Sequence, residues 1–222
     1  MSLIALLALI GMQAAPSEAV AAAVNEGDRL LADAQATDLF INESATGQGA
    51  ILLRHKASGY RCVLNTGKDV NLVRVYPNPV RGDDVSCTTR TITDVRTTYF
   101  TRHTASAEEF AESAAIVIRA RYRNAREVNV ANDPIELVLY DFEVPSPLTR
   151  GFETHDSYEQ VTIGKQGDWV VKIRFSSAPG QSGMGSMFAN FWTTTVLEPR
   201  TAEIRAARGL PPLDRAPTPV PQ

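Results

Sequence analysis

The residue types needed for catalysis stand together at "FETHDSYEQ", where His155, Asp156 and Ser157 supply an imidazole, a carboxylate and a hydroxyl in succession. A nucleophilic triad uses those groups only if they converge, with an acid behind the imidazole and an oxyanion hole nearby. Read as a strand, "FETHDSYEQVTI" alternates its side chains. His155 and Ser157 then share a face with Glu153 and Glu159, while Asp156 takes the other. No G-x-S-x-G elbow occurs in the chain. A row of carboxylate, imidazole and hydroxyl suits a polar ligand, or acid–base work by a His/Glu pair on the sheet face, as in a small hydrolase.

Other constellations are thinner. His55, His103 and His155 are far apart and show no metal-ligand spacing, so no metal or cofactor is expected. "APGQSGMGSM" is glycine-rich and leads into a helix, but it lacks the Lys-Ser/Thr ending of a phosphate-binding loop. It reads as a connection. Arg121 falls in the apolar register of a helix with Phe110, Ala114, Val117 and Ala125. A charge there must reach past the helix end or meet a carboxylate, and Asp141, in the apolar register of the strand "PIELVLYDFEV", is the expected partner. "RGDD" at Arg81 and the sequon "NES" at Asn42 are short enough to arise by chance.

The only two cysteines, Cys62 and Cys87, lie in β-like runs either side of the turn-rich "YPNPVRGDD". In an oxidising compartment two such cysteines pair, and here they would close a loop of about 25 residues and hold its flanking strands. Such a compartment is indicated by "MSLIALLALIGMQAAPSEAV", an apolar run from Leu3 to Met12 followed by small residues, the pattern of an export signal over 1–19. The run is too short to span a bilayer. The expected location is periplasmic or secreted, with nothing membrane-embedded once the signal is cleaved. A formal charge of −3, from 22 basic and 25 acidic residues, gives no field suited to nucleic acid.

These groups must be positioned by a single domain over 20–200, followed by a proline-rich tail over 208–222 expected to be disordered. A helix is expected after Pro16, although Gly27 weakens it. From Phe40 to His103, short runs separated by turn residues predict one antiparallel meander, with Ala57-Ser58-Gly59 as a hairpin loop. Ser106-Ala107-Glu108-Glu109 has capping-box spacing and starts a helix over 105–126. "DWVVKIRF" follows the turn "GKQG" and sends Trp169, Val171, Ile173 and Phe175 one way and Lys172 and Arg174 the other. An apolar helix is expected over 184–197.

The fold class is α+β, in two layers: an antiparallel sheet of six to eight strands packed against the central helix and the C-terminal helix on one face. The function expected is that of an envelope accessory or binding module. Its ligand, a protein or a small molecule, would meet the exposed sheet face at His155, Tyr158, Lys172 and Arg174, with Arg121 a further candidate; the hydrolase is the alternative.

Overall fold

Burial in this chain follows strand alternation. Val85, Cys87 and Thr89 of one strand and Asn71 and Val73 of its neighbour are buried on one face, while on the other face Leu72, Arg74 and Arg90 are exposed and Ser86 is covered. A sheet with one face filled and the other open is the result. The computed structural model describes residues 17–67, 70–130 and 147–212. The apolar run Leu3–Met12, the strand expected over 134–144 with Asp141, and the tail beyond residue 212 lie outside the described residues.

The chain opens with helix α1 (Glu18–Asp33) and strands β1 (Phe40–Asn42), β2 (Ile51–His55) and β3 (Arg61–Leu64). Next come β4 (Val70–Val75), β5 (Asp84–Arg90), β6 (Asp94–Arg102), helix α2 (Ala107–Arg121) and β7 (Arg126–Val128). Strands β8 (Leu148–Glu153), β9 (Tyr158–Gln166) and β10 (Trp169–Ser177) follow. A continuous helical rod ends the described chain: α3 (Ser182–Trp192), a π turn (Thr193–Leu197) and α4 (Glu198–Ala207). The fold is α+β, with a seven-stranded sheet ordered β4-β5-β6-β10-β9-β8-β7 and a separate three-stranded sheet, β1-β2-β3. All pairings are antiparallel. The expected single meander over 40–103 therefore divides between β3 and β4. Apolar periodicity marks strands but not their partners.

Local chemistry accounts for most boundaries. Ser17 caps α1 by accepting from the Val20 N–H at 3.4 Å. Gly27 belongs inside that helix because Asn42 crosses there: a Cβ would lie 2.7 Å from Asn42 Nδ2, which donates to the Val24 carbonyl. The Ser106/Glu109 capping box is formed, and α2 ends at Arg121, short of the expected residue 126. Gly167, at φ +58°, and Asp168 make the tight turn between β9 and β10, so "GKQ" of the expected loop lies in the strand. In the C-terminal rod, the Thr193, Thr194 and Thr195 hydroxyls donate to carbonyls three or four residues back, at 2.9, 3.0 and 2.7 Å. Such bonds compete with the backbone ladder, and the helix widens into its π turn there.

The two helices expected on one face take opposite faces. On the first, α1, the small sheet and the C-terminal rod enclose Phe40, Leu53, Tyr60, Phe100, Val171 and Trp192. On the second, α2 lays Ala107, Ala111, Ala115 and Ile118 on Phe152, Val161, Ile163 and Val170. Strand β9 is buried on both sides for this reason. An amphipathic stripe shows that a helix buries one side, not which side of a sheet receives it.

Cys62 of β3 and Cys87 of β5 form a disulfide with their Cα atoms 6.0 Å apart. Both residues are buried in the first core. The bond joins the small sheet to the large one, where the sequence suggested flanking strands of one sheet.

Candidate functional site

Helix α2 covers only half of the second face. Over β8, β9 and β10 it is seated directly and tied down by Arg150, which pairs with Glu127 of β7 at 2.7 Å and with Glu112 of α2. Farther across the sheet Leu72 and Arg74 of β4 and Arg90 of β5 are exposed, and a cavity of ≈ 640 Å³ opens beside the last turn of the helix.

Strand register sets the rows of this sheet face. Arg74, Ser86, Tyr99 and Lys172 lie side by side across β4, β5, β6 and β10; the next row is Leu72, Thr88, Thr97 and Arg174, and the third is Val70, Arg90, Val95 and Ser176. Tyr76 stacks near Tyr99 at 6.3 Å between ring centroids, and its hydroxyl is 3.1 Å from Ser86 Oγ. Arg121 and Tyr122 close the wall from the end of α2, with the Arg121 guanidinium 5.3 Å from the Tyr122 ring. Three tyrosines and four arginines thus face one hollow.

Charge inside it is unevenly paired. Glu159 is 1% exposed and accepts from Arg174 Nη2 at 2.9 Å, Ser176 Oγ at 2.6 Å and Ser157 Oγ at 3.1 Å. That carboxylate and Arg174 form a satisfied buried pair. Arg74, Arg90 and Arg121 have no carboxylate partner among the described residues, so a protein of net charge −3 concentrates unpaired positive charge here. Burial raises the pKa of Tyr99, with Tyr76 beside it adding to the effect, and raises that of Tyr122, helped by the Glu159 carboxylate nearby. Both remain neutral donors. Lys172 sits at the inner edge with Nζ 4.2 Å from the Tyr99 ring centre and 5.5 Å from that of Phe110. Burial lowers its pKa, Arg174 lowers it further, and Asp84 opposes them.

The sequence-derived candidates fall in three places. Arg174 and Arg121 line the hollow, and Lys172 lines a smaller cavity that adjoins it. Arg121 is exposed at the final position of α2, where its side chain escapes the apolar register past the helix end. Tyr158 lies on the other face: it is 0% exposed, donates to Gln160 Oε1 at 2.7 Å, and burial pushes its pKa up to about 12. His155 is on neither. Residues 154–157 turn between β8 and β9, and Thr154 Oγ1 accepts from the Asp156 and Ser157 N–H groups at 3.2 and 2.9 Å. The shared strand face expected for His155, Ser157, Glu153 and Glu159 does not exist there, because Thr, Asp and Ser take up turn hydrogen bonds. His155 Nδ1 is 2.6 Å from Asp156 Oδ1, and that bond raises the imidazole pKa.

Sequence reasoning passed over Arg74, Arg90, Tyr76, Tyr99 and Tyr122. Each looked like one polar residue among many. Only the pairing of β4, β5, β6 and β10 makes them neighbours. Among the described residues, no group of three or more His, Cys, Asp or Glu is placed to hold a metal ion, and no helix is long and apolar enough to cross a membrane. No protein-family model, curated protein or solved structure matches this chain.

Proposed function

We propose that this protein is an exported, non-catalytic binding module whose small ligand occupies the open half of the second sheet face. One observation carries the reading: Arg74, Arg90 and Arg121, unpaired among the described residues, converge with Tyr76, Tyr99 and Tyr122 on a single concavity. A volume of ≈ 640 Å³ suits a small molecule, since such sites run from roughly 300 to 1,000 Å³. Guanidinium groups supply fixed positive charge and paired donors, and neutral tyrosines supply ring faces and hydroxyls. Export is supported by the Cys62–Cys87 bond, a kind that persists in oxidising compartments, and by the apolar run Leu3–Met12.

Native mass spectrometry of the full chain from an exporting host is the test. A retained small-molecule mass is expected in the native protein and should be lost from the Arg90→Gln/Arg121→Gln variant. Bare polypeptide in both would contradict the reading. For export, thiols should stay unreactive towards alkylating reagent even after unfolding; two titratable thiols would argue for a reducing compartment.

A further inference from the structure

The hollow does not end at the arginines. A second cavity of ≈ 300 Å³ runs between α2 and the sheet, walled by Phe110, Ala114, Val117 and Ile118 of the helix and by Val161 of β9. Tyr99 and Arg174 line both cavities, so the two adjoin. Their linings differ by degree: the first is mainly polar and carries cations, while the second keeps Tyr99, Lys172 and Arg174 on the sheet side and adds hydrocarbon from α2 on the other. Val117, at 57% exposure, leaves apolar surface uncovered at its edge. Helix α2 seats on the sheet through its alanine row, Ala107, Ala111 and Ala115, while the small Ala114 and Ser113 leave this slot open. Lys172 stands at the junction, its ammonium held against ring faces and without a hydrogen-bond partner among the described residues.

Resting on the ligand-site reading above, we infer that the occupant is a monomeric single-chain amphiphile with an anionic head. The head lies among Arg74, Arg90 and Arg121, and the apolar chain runs beneath α2 past Lys172. A bare inorganic anion would engage the arginines and leave the slot without apolar contact. A neutral lipid would fill the slot and offer nothing to three guanidiniums that have no carboxylate partner among the described residues. Only a molecule with both parts matches both walls, because chain methylenes gain from leaving water while a carboxylate, sulfate or phosphate head gains charge-assisted hydrogen bonds.

Titration calorimetry of the full chain tests this with three probes: dodecanoate below its micelle concentration, its neutral glycerol ester monododecanoylglycerol, and inorganic phosphate. Dodecanoate should bind one to one, at least tenfold more tightly than either other probe. The Arg90→Gln/Arg121→Gln variant should weaken dodecanoate about tenfold and leave the neutral ester unchanged, whereas Ala114→Trp should abolish both with the circular dichroism spectrum intact. If Ala114→Trp does not fold, Val117→Glu blocks the slot from its exposed edge and should give the same loss. Phosphate binding as tightly as dodecanoate, or dodecanoate binding that ignores a folded slot variant, would overturn the amphiphile while leaving a polar-anion module standing. So would a retained mass that, once released by denaturation, proves to carry no alkyl chain. Flotation with anionic phospholipid vesicles without uptake of monomeric dodecanoate would assign the surface to a membrane and overturn it too. A bare protein that binds none of these removes the module as well.

Discussion

Phe100 and Tyr99 are adjacent on β6 and point to opposite faces of one sheet, and the contrast between those faces organises the molecule. Phe100 is 0% exposed, stacked between the rings of Tyr60 at 5.6 Å and His55 at 6.1 Å, under the small sheet and the C-terminal rod. Tyr99 lies beside Tyr76 and Lys172 at the junction of the two cavities. The closed face is assembled from elements far apart in sequence and fastened by a covalent bond. Among the described residues the open face carries one helix, α2, and three arginines, Arg74, Arg90 and Arg121, without a carboxylate partner. The disulfide and the larger apolar cluster lie on one side, and the smaller cluster, under α2, fills only part of the other.

The contrast breaks hardest at Phe100. Phe100→Ala should cost roughly 3–5 kcal/mol, the range for an aromatic removed from a filled core. Tyr99→Phe, one residue away, should move stability by less than about 1 kcal/mol. Urea denaturation of both variants checks this; equal losses would mean that the faces are not energetically distinct.

The disulfide comes next. Replacing both Cys62 and Cys87 by Ala removes a link across 25 residues and should cost roughly 3–4 kcal/mol on the chain-entropy account. Thermal melts should show that loss while binding in the open hollow survives in the folded fraction. A variant as stable as the parent would show that packing alone seats the small sheet.

Acid should also attack the closed face first. His55 is buried among Phe40, Phe100 and Trp169, with Nδ1 2.9 Å from Ser58 Oγ. Burial lowers its pKa from 6.5 to about 4, with Arg102 helping and Asp83 and the Gly82 backbone opposing. The unfolded chain therefore takes up this proton more readily than the folded one. The stability at stake is fully present above pH 6.5 and is lost as pH falls through about 4, on the order of 3 kcal/mol in all. An NMR titration should place the imidazole pKa near 4, and the urea midpoint should fall across that window. An imidazole titrating near 6.5 would remove His55 from the acid limb.

Much of the closed face could be read in the sequence, and little of the open one. Alternation along Trp169, Val171, Ile173 and Phe175 gave the buried side of β10 directly, and Lys172 with Arg174 marked its other side. The Ser106 box and the cysteine pair were equally legible, since each depends on neighbours in sequence or on chemistry with few alternatives. The misplacement of His155 has a local cause: "THDS" alternates polar types as a wet strand does, and its turn potential competed with that pattern. Tyr158 failed for the same reason, because its register depends on where that turn ends. The hollow itself was beyond reach. Arg74, Arg90, Arg121 and Arg174 span about a hundred residues and meet only through strand pairing that no local pattern encodes.

The claim that the open face is a positively charged site and the closed face is not can be tested without knowing any ligand. The full chain would be labelled with 3-fluorotyrosine, its resonances assigned by Tyr→Phe variants, and exposed in turn to an anionic and a neutral gadolinium chelate of similar size. The account predicts that the anionic chelate broadens Tyr76, Tyr99 and Tyr122 well beyond the neutral one, while Tyr60 and Tyr158, at 1% and 0% exposure, respond to neither. Equal broadening by the two chelates at the open-face tyrosines, or broadening at Tyr60 and Tyr158, would contradict it.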